Sequence, residues 1–374
     1  MRILLVNHRF FPVEGGTERW TLGLARALVK KGVKVTVLTQ LEKGTAAEET
    51  MDDGIHVVRI RTTKVGKFRI PREYLRTLRR LDYDMLHMSG NRIWCADFYF
   101  PFAGMFDGPQ VITPHDFYQL AMDPSRINRL YFGRYLPSRL LAFQAYLALT
   151  DREGERIASF GYPRERIHVV GEGIEPSAFA NPGTQASGLR KRWGVTRPFL
   201  TLYVGGMWEN KRVDRLVTAL HSIRDTASLV VIGRDIPGSP YDQAHVTSLA
   251  AKLGVEVRFL GPLPREDVLS AYREADLFML GSQYEGFGLG LVEAMAAGLP
   301  FLSFDVGAAP TLAQGGGGAV AQDQKDFTAR LKTIAGDESL RKTMAGKAAQ
   351  AARKWEWDSV VDRYMKVYDE VLGK

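Results

Sequence analysis

A short apolar run, then a loop, then an amphipathic helix recurs along this chain. That alternation constrains the fold more than any other feature. Ile3–Val6 opens the series, and Val33–Leu38, Ile55–Ile60, Met85–Met88, Val111–Thr113, Tyr146–Leu149 and Ile167–Val170 continue it. Runs of this kind, apolar without alternation, read as strands buried on both faces. Between the first two lies a helix over Thr17–Lys31, with Trp20, Leu24 and Leu28 in register and Lys30, Lys31 and Gly32 at its end. Strand, helix, strand predicts a parallel βαβ unit. Residues 181–187, rich in Pro, Gly and Ser, read as a linker. A second series follows, with strands at Phe199–Val204, Leu229–Ile232, Val257–Leu260, Leu277–Leu280 and Phe301–Phe304. Its helices fall at Arg212–Arg224, Ala244–Lys252, Arg265–Ala275 and Val292–Ala297. Asp337–Leu372 reads as helical, with a junction at Trp355 and Trp357. The expected fold class is α/β, two Rossmann-like doubly wound domains facing a cleft. The expected bounds are 1–180, a linker 181–196, and 197–354. Ligands of such sheets bind at the carboxyl ends of the strands, where the loops at Gly15–Gly16 and Gly286–Gly290 stand.

Gly281–Pro300, GSQYEGFGLGLVEAMAAGLP, is strand end, glycine-rich loop and helix in one stretch. A helix start after glycines offers free backbone N–H groups and the positive end of the helix dipole to an anion. Glu285 precedes this loop. Glu293 lies among Leu291, Val292, Ala294 and Met295, which places it in a semi-buried site rather than on a solvated face.

Composition narrows the class of function. The single Cys95 excludes an internal disulfide and a multi-cysteine metal site, and suits a reducing compartment. Ile3–Val6 is too short for a signal-peptide core, and no apolar run approaches a spanning helix, so a cytosolic location is expected. The net charge of +8 points to an anionic partner. No nucleic-acid motif is present, which leaves a phosphorylated small substrate or anionic lipid.

Val204-Gly205-Gly206 with Lys211, Val230–Gly233, Phe259-Leu260-Gly261 and Ser282–Pro300 resemble, in order and spacing, the retaining GT-B-fold glycosyltransferases of family 4. Gly15-Gly16-Thr17-Glu18, Asp84–His87, His115-Asp116 and Gly173-Ile174-Glu175 extend the resemblance over nearly the whole chain. It implies transfer of a sugar from a nucleotide-sugar to an acceptor hydroxyl, with retention and no metal or other cofactor. A UDP-sugar is favoured over a GDP-sugar. The acceptor would be a glycan, a lipid-linked molecule or a small molecule. It also implies that residues 355–374 pack back on the first domain. By the same resemblance Lys211 neutralises the diphosphate, Glu293 accepts from the ribose hydroxyls, and Glu285 and His115 face the transferred sugar; His115, Glu285 and Lys211 are thus the catalytic candidates. Gly15, Gly16, Gly205, Gly206, Arg212, Arg258, Leu260, Gly286, Phe287, Gly288 and Leu289 join Glu293 as substrate-binding candidates. The family usually carries Arg where this chain has Gly206, and Arg212 and Arg234 are the cations that could stand in.

Other features carry weaker signals. Asp82-Tyr83-Asp84 matches a metal-binding DxD pattern, but three-residue matches are common by chance, and no metal site is expected. His87 and His8 read as structural or cleft-lining. Gly315–Gly318 reads as a flexible loop entering a strand. The basic stretch Arg61–Arg80, and the zone 126–139 mixing Arg129, Arg134 and Arg139 with Tyr131, Phe132 and Tyr135, are open to two readings: an anionic membrane surface or a solvated face. The overall expectation is a metal-independent retaining hexosyltransferase, cytoplasmic or peripheral at the inner membrane face. The alternative is a non-catalytic nucleotide-sugar binder of the same fold.

Overall fold

Each buried apolar run becomes a strand of one of two sheets in the computed structural model, which describes residues 1–13, 15–65, 68–90, 94–106, 108–115, 126, 130, 141–175, 179 and 188–374. These residues divide into two units, residues 1–173 with 357–374, and residues 174–356.

The first unit carries β1 (Arg2–Val6), β2 (Lys34–Gln40), β3 (Glu48–Thr50), β4 (His56–Ile60), β5 (Thr62–Val65), β6 (Phe68–Pro71), β7 (Met85–Ser89), β8 (Gln110–Thr113), β9 (Ala145–Ala148) and β10 (Ile167–Val169). Eight of them form one sheet in the order β10-β9-β8-β7-β1-β2-β4-β3, parallel except for β3 against β4. Leu4, Val6, Leu86, Met88 and Ile112 are fully buried, because helices cover the sheet where these side chains emerge. The helix Gly16–Lys30 buries Trp20, Leu24 and Leu28 and ends at Gly32, whose φ of 79° suits a residue without a side chain. The C-terminal helix Trp357–Leu372 packs on this unit. Trp357 fits where Gly23 and Gly173 leave room, since a Cβ on either glycine would strike its indole.

The second unit carries β11 (Phe199–Val204), β12 (Ala227–Ile232), β13 (Glu256–Gly261), β14 (Leu277–Leu280), β15 (Phe301–Phe304) and β16 (Gly318–Ala321). Their order, β13-β12-β11-β14-β15-β16, is the doubly wound arrangement, with the switch point between β11 and β14. The loops that follow those two strands therefore open side by side.

Several expectations need correction. The first unit ends at Gly173, not at residue 180, because Phe179 is buried in the second unit. Its ring lies edge-on to Tyr272, and its carbonyl accepts from Arg273 (2.8 Å). Residues 188–196 are no linker. The helix Leu189–Arg192 belongs to the second unit, and Arg190 donates to the Glu274 carbonyl (2.7 Å) and to Asp276 (2.9 Å). Residues 181–187 lie outside the described residues. The returning segment starts at Trp357 rather than 355, since Trp355 lies edge-on to Phe287 of the second unit. Gly315–Gly318 does lead into β16, but as a close-packed seam: side chains at Gly317 and Gly318 would strike the Ala348 backbone and the Phe301 ring.

The basic stretch after β4 holds the hairpin β5–β6 and the helix Tyr74–Arg80. Tyr74 and Leu78 enter the core while Arg72, Arg76, Arg79 and Arg80 are exposed, so that helix presents a basic outer face over a core stripe, as either reading expects. Of the aromatic and basic zone 126–139, all but residues 126 and 130 lie outside the described residues. No described helix is long and apolar enough to cross a membrane.

Candidate active site

In the second unit, the chain leaves β11 through Gly205 and Gly206 and turns through Glu209–Lys211 into the helix Val213–Leu220. It leaves β14 through Gly281 and reaches Glu285 before the helix Leu289–Ala296. The two loops interlock. Gln283 N–H donates to the Asn210 carbonyl (2.8 Å), and a side chain at Gly281 would collide with the Arg212 carbonyl. This brings Lys211 onto Glu285. The ammonium donates to both carboxylate oxygens at 2.8 Å, and the buried Ser282 hydroxyl donates to one of them at 2.6 Å. The pair is 23% and 11% exposed. Nearby Tyr203, held by its hydroxyl on the Gly206 carbonyl (3.0 Å), has its pKa raised far above the usual value, by burial first and by the Glu285 charge second.

Glu293, one turn into the helix, is buried. Arg265 donates to one oxygen (2.8 Å) and the buried Tyr272 hydroxyl to the other (2.9 Å). Arg265 is 43% exposed and can move; Tyr272 cannot. Gly288 caps that helix with a φ of 105°, and Gly286 and Leu289 are half-buried beside it. Phe287 turns inward, its carbonyl accepting from Ala308 N–H (2.8 Å).

The other three candidates of this unit are placed differently. Arg258 donates to the Gly194 carbonyl (3.0 Å) and faces Glu256, away from this loop pair. Arg212, in a left-handed conformation (φ 47°), spends its guanidinium on Asp214 through two bonds of 2.9 and 2.8 Å and lies over the Tyr241 ring. Leu260 is the extra residue where the register of β12 and β13 shifts.

In the first unit, His115 follows β8 with a φ of 45°, unusual for a residue with a side chain. Its buried Nε2 has no partner among the described residues. Its ring stands edge-on to Trp20 at 4.5 Å, and Trp20 in turn donates to Tyr364, which donates to the Gly171 carbonyl. His87 is closed off between Tyr368 (2.6 Å) and Thr113 (2.8 Å), which makes it structural. Burial pushes both imidazoles down to about 3, with the His115 charge adding to the effect at His87 and the His8 charge at His115. Asn7 holds His8, accepting from its backbone and ring nitrogens, and the ring faces Glu18 at 3.8 Å. Gly15 caps the helix Gly16–Lys30, and space beside Gly16 is open. Asp116 lies outside the described residues. Asp82 and Asp84 both pair with Arg2, so the DxD match is a structural clasp. Among the described residues no three metal-ligating side chains gather. The site roles of Tyr272, Arg265 and Trp20 are not legible in the sequence, because nothing local marks a residue whose partner is distant, and Ser282, three residues from Glu285, carries no motif of its own.

Comparison with known proteins bears on the family and the fold. Residues 189–353 match the family model "Glycosyl transferases group 1", and residues 14–178 match "Glycosyltransferase Family 4". The chain is 28% identical to a D-inositol 3-phosphate glycosyltransferase of Xylanimonas cellulosilytica, over 96% of this chain and 93% of that protein. It is 25% identical to the GDP-mannose:cellobiosyl-diphosphopolyprenol alpha-mannosyltransferase of Xanthomonas campestris, over 100% and 98%. Among solved structures it is similar to Anabaena HepE in complex with UDP and glucose (TM-score 0.80, 18% identity, 99% and 100% covered). It is also similar to WaaG, a glycosyltransferase involved in lipopolysaccharide biosynthesis (TM-score 0.73, 22% identity, both chains fully covered). With the paired loops of Lys211 and Glu285 in place and the two matches spanning nearly the whole sequence, the chain belongs to the group 1, family 4 glycosyltransferases of the GT-B fold.

Proposed function

We propose that this enzyme moves a sugar from a nucleotide-sugar to an acceptor hydroxyl with retention of anomeric configuration and without a metal ion. The observation that carries this reading is the cluster of Lys211, Glu285 and Ser282 at the mouth of β11 and β14, with Glu293 one helical turn beyond. As the bond from the anomeric carbon to the diphosphate oxygen breaks, negative charge grows on the leaving phosphate and positive charge on the ring. Lys211 answers the first and Glu285 the second. A carboxylate already holding Lys211 and Ser282 is a poor nucleophile, which favours the stabilising role over a covalent one. The acceptor oxygen bonds to the anomeric carbon on the face the diphosphate leaves, and its proton passes to the departing phosphate oxygen. The ribose hydroxyls take the place of Arg265 on Glu293, while Tyr272 keeps the carboxylate aimed. In the first unit, the His115 Nε2, without a partner among the described residues, is suited to a hydroxyl of a bound sugar.

The donor we favour is a UDP-sugar, with a GDP-sugar second, as the name of the Xanthomonas relative suggests. The acceptor is a glycan, lipid-linked precursor or phosphorylated polyol, in keeping with the names of the relatives, and the enzyme works in the cytoplasm or at the inner membrane face. The test is nucleotide release from UDP-, GDP- and ADP-sugars, with and without polyprenyl-linked and inositol phosphate acceptors, in chelator. Acceptor-dependent release with an α-linked product from an α-donor is expected. Absence of binding and release with every donor removes the transferase reading, and tight binding without turnover favours a non-catalytic binder.

A further inference from the structure

The cations of the second unit's loop mouth are largely committed. Lys211 is held by Glu285 and Arg212 by Asp214 and Tyr241, while Arg265 is held by Glu293 until a ribose displaces it. A nucleoside diphosphate carries more negative charge than Lys211 can answer while it still holds a carboxylate. Gly206 adds no side chain, and the space its Cβ would enter belongs to Trp208: the indole nitrogen would stand 2.9 Å from that Cβ. Trp208 is 55% exposed, so a large aromatic with a polar N–H lies against Gly206 and open to solvent on this loop. Arg234 follows β12 and is exposed. Among the described residues its guanidinium has no ion pair. Its neighbour Asp235 is occupied by the backbone N–H groups of Ile236 (2.8 Å) and Gln243 (2.9 Å). The Arg234 backbone is fixed to the glycine loop, its carbonyl accepting from Met207 N–H at 2.9 Å. Gly233 lies against the Gly205 carbonyl so closely that no side chain fits between them.

We infer that Arg234 and the indole N–H of Trp208 bind the diphosphate of the donor, supplying from β12 and from two residues downstream what position 206 lacks. This rests on the nucleotide-sugar reading above. The close approach of Gly233 to Gly205 makes it possible, by bringing the Arg234 backbone to the glycine loop. An arginine suits the task because its planar fork can meet two phosphate oxygens at once. The indole adds a single donor and no charge. Lys211, still bonded to Glu285, then shares the diphosphate charge with Arg234 rather than answering it alone.

The test is calorimetric titration of the full chain with UDP, GDP and ADP and with the matching monophosphates, together with melting curves of each variant. For a diphosphate that the wild type binds, Arg234→Ala is expected to raise Kd about tenfold or more, as for loss of a charge-assisted bond. Its effect on the monophosphate should be much smaller. Arg234→Lys should recover part of the loss, and Trp208→Phe, which keeps the ring but not the N–H, should cost about threefold to tenfold. Both residues are exposed, so unchanged melting temperatures are expected. If the wild type binds a diphosphate and Arg234→Ala and Trp208→Phe bind it equally well, this assignment is wrong and the donor reading stands. If the wild type binds no nucleoside diphosphate, both fall together.

Discussion

Lys211 and Glu285 each limit what the other can do. Half-buried and bonded twice, the ammonium neutralises the carboxylate beside it, and Ser282 fixes the carboxylate's angle. Ser282→Ala should therefore lower turnover about tenfold while leaving nucleotide affinity unchanged, since it removes one hydrogen bond to a charged group and touches no phosphate. Steady-state kinetics beside calorimetry would check this, and an equal loss in both would remove the positioning role. The two buried imidazoles give a second expectation. Their folded pKa values, about 3, lie below the ordinary 6.5, so between those values the unfolded chain binds more protons. Stability is then fully present above pH 6.5 and falls as the pH drops toward 3. Melting temperature against pH should show that slope, and His87→Phe should make it shallower; an unchanged slope would mean that His87 is not one of the groups responsible.

At the scale of elements, strands were the legible part. Phe199–Val204, Leu277–Leu280 and Phe301–Phe304 are strands over the residues their apolar runs mark, because a strand buried on both faces reads as a near-continuous apolar run, interrupted here only at Thr201 and Ser303. The hairpin β5–β6 was hidden, because Lys64 opposite Arg69 carries none of the apolar alternation that betrays a strand. In the site, Glu285, Glu293 and Lys211 could be picked out from their loops. The partners that set their chemistry could not: Lys211 meets Glu285 across a gap of 74 residues. Glycines show the same split. Gly281→Ala should destabilise the protein by about 2 kcal/mol or more, because its Cβ meets the Arg212 carbonyl and backbone cannot step aside. Gly346→Ala should stabilise it by about 0.5–1 kcal/mol, because it lies inside the helix Glu338–Ala352 with open space around it. Denaturant midpoints of the two variants, moving in opposite directions, would check both; a shared direction would contradict the packing described.

At the scale of the whole molecule, the first unit is built from two stretches of chain far apart in sequence. The helix Trp357–Leu372 buries Val360, Val361, Tyr364 and Tyr368 on it, and through Tyr364 and Tyr368 it holds Trp20 and His87. Trp357→Ala should thus loosen the first unit and spare the second. Hydrogen exchange should quicken in Gly16–Lys30 and stay unchanged in β11 to β16; equal loosening of both units would contradict the division.

The slot that Gly23 and Gly173 leave for Trp357 has a consequence for the newborn chain. Residues 1–173 emerge from the ribosome with that slot empty and the flank of Trp20 uncovered, and the helix that fills them follows only after the whole second unit. At about 5–20 residues per second, the wait for it is roughly 10–40 s. During that interval an apolar groove stands open to water and to other chains. A chaperone that shields apolar surface should therefore engage this protein once residues 1–173 have emerged and let go once Trp357–Leu372 follows.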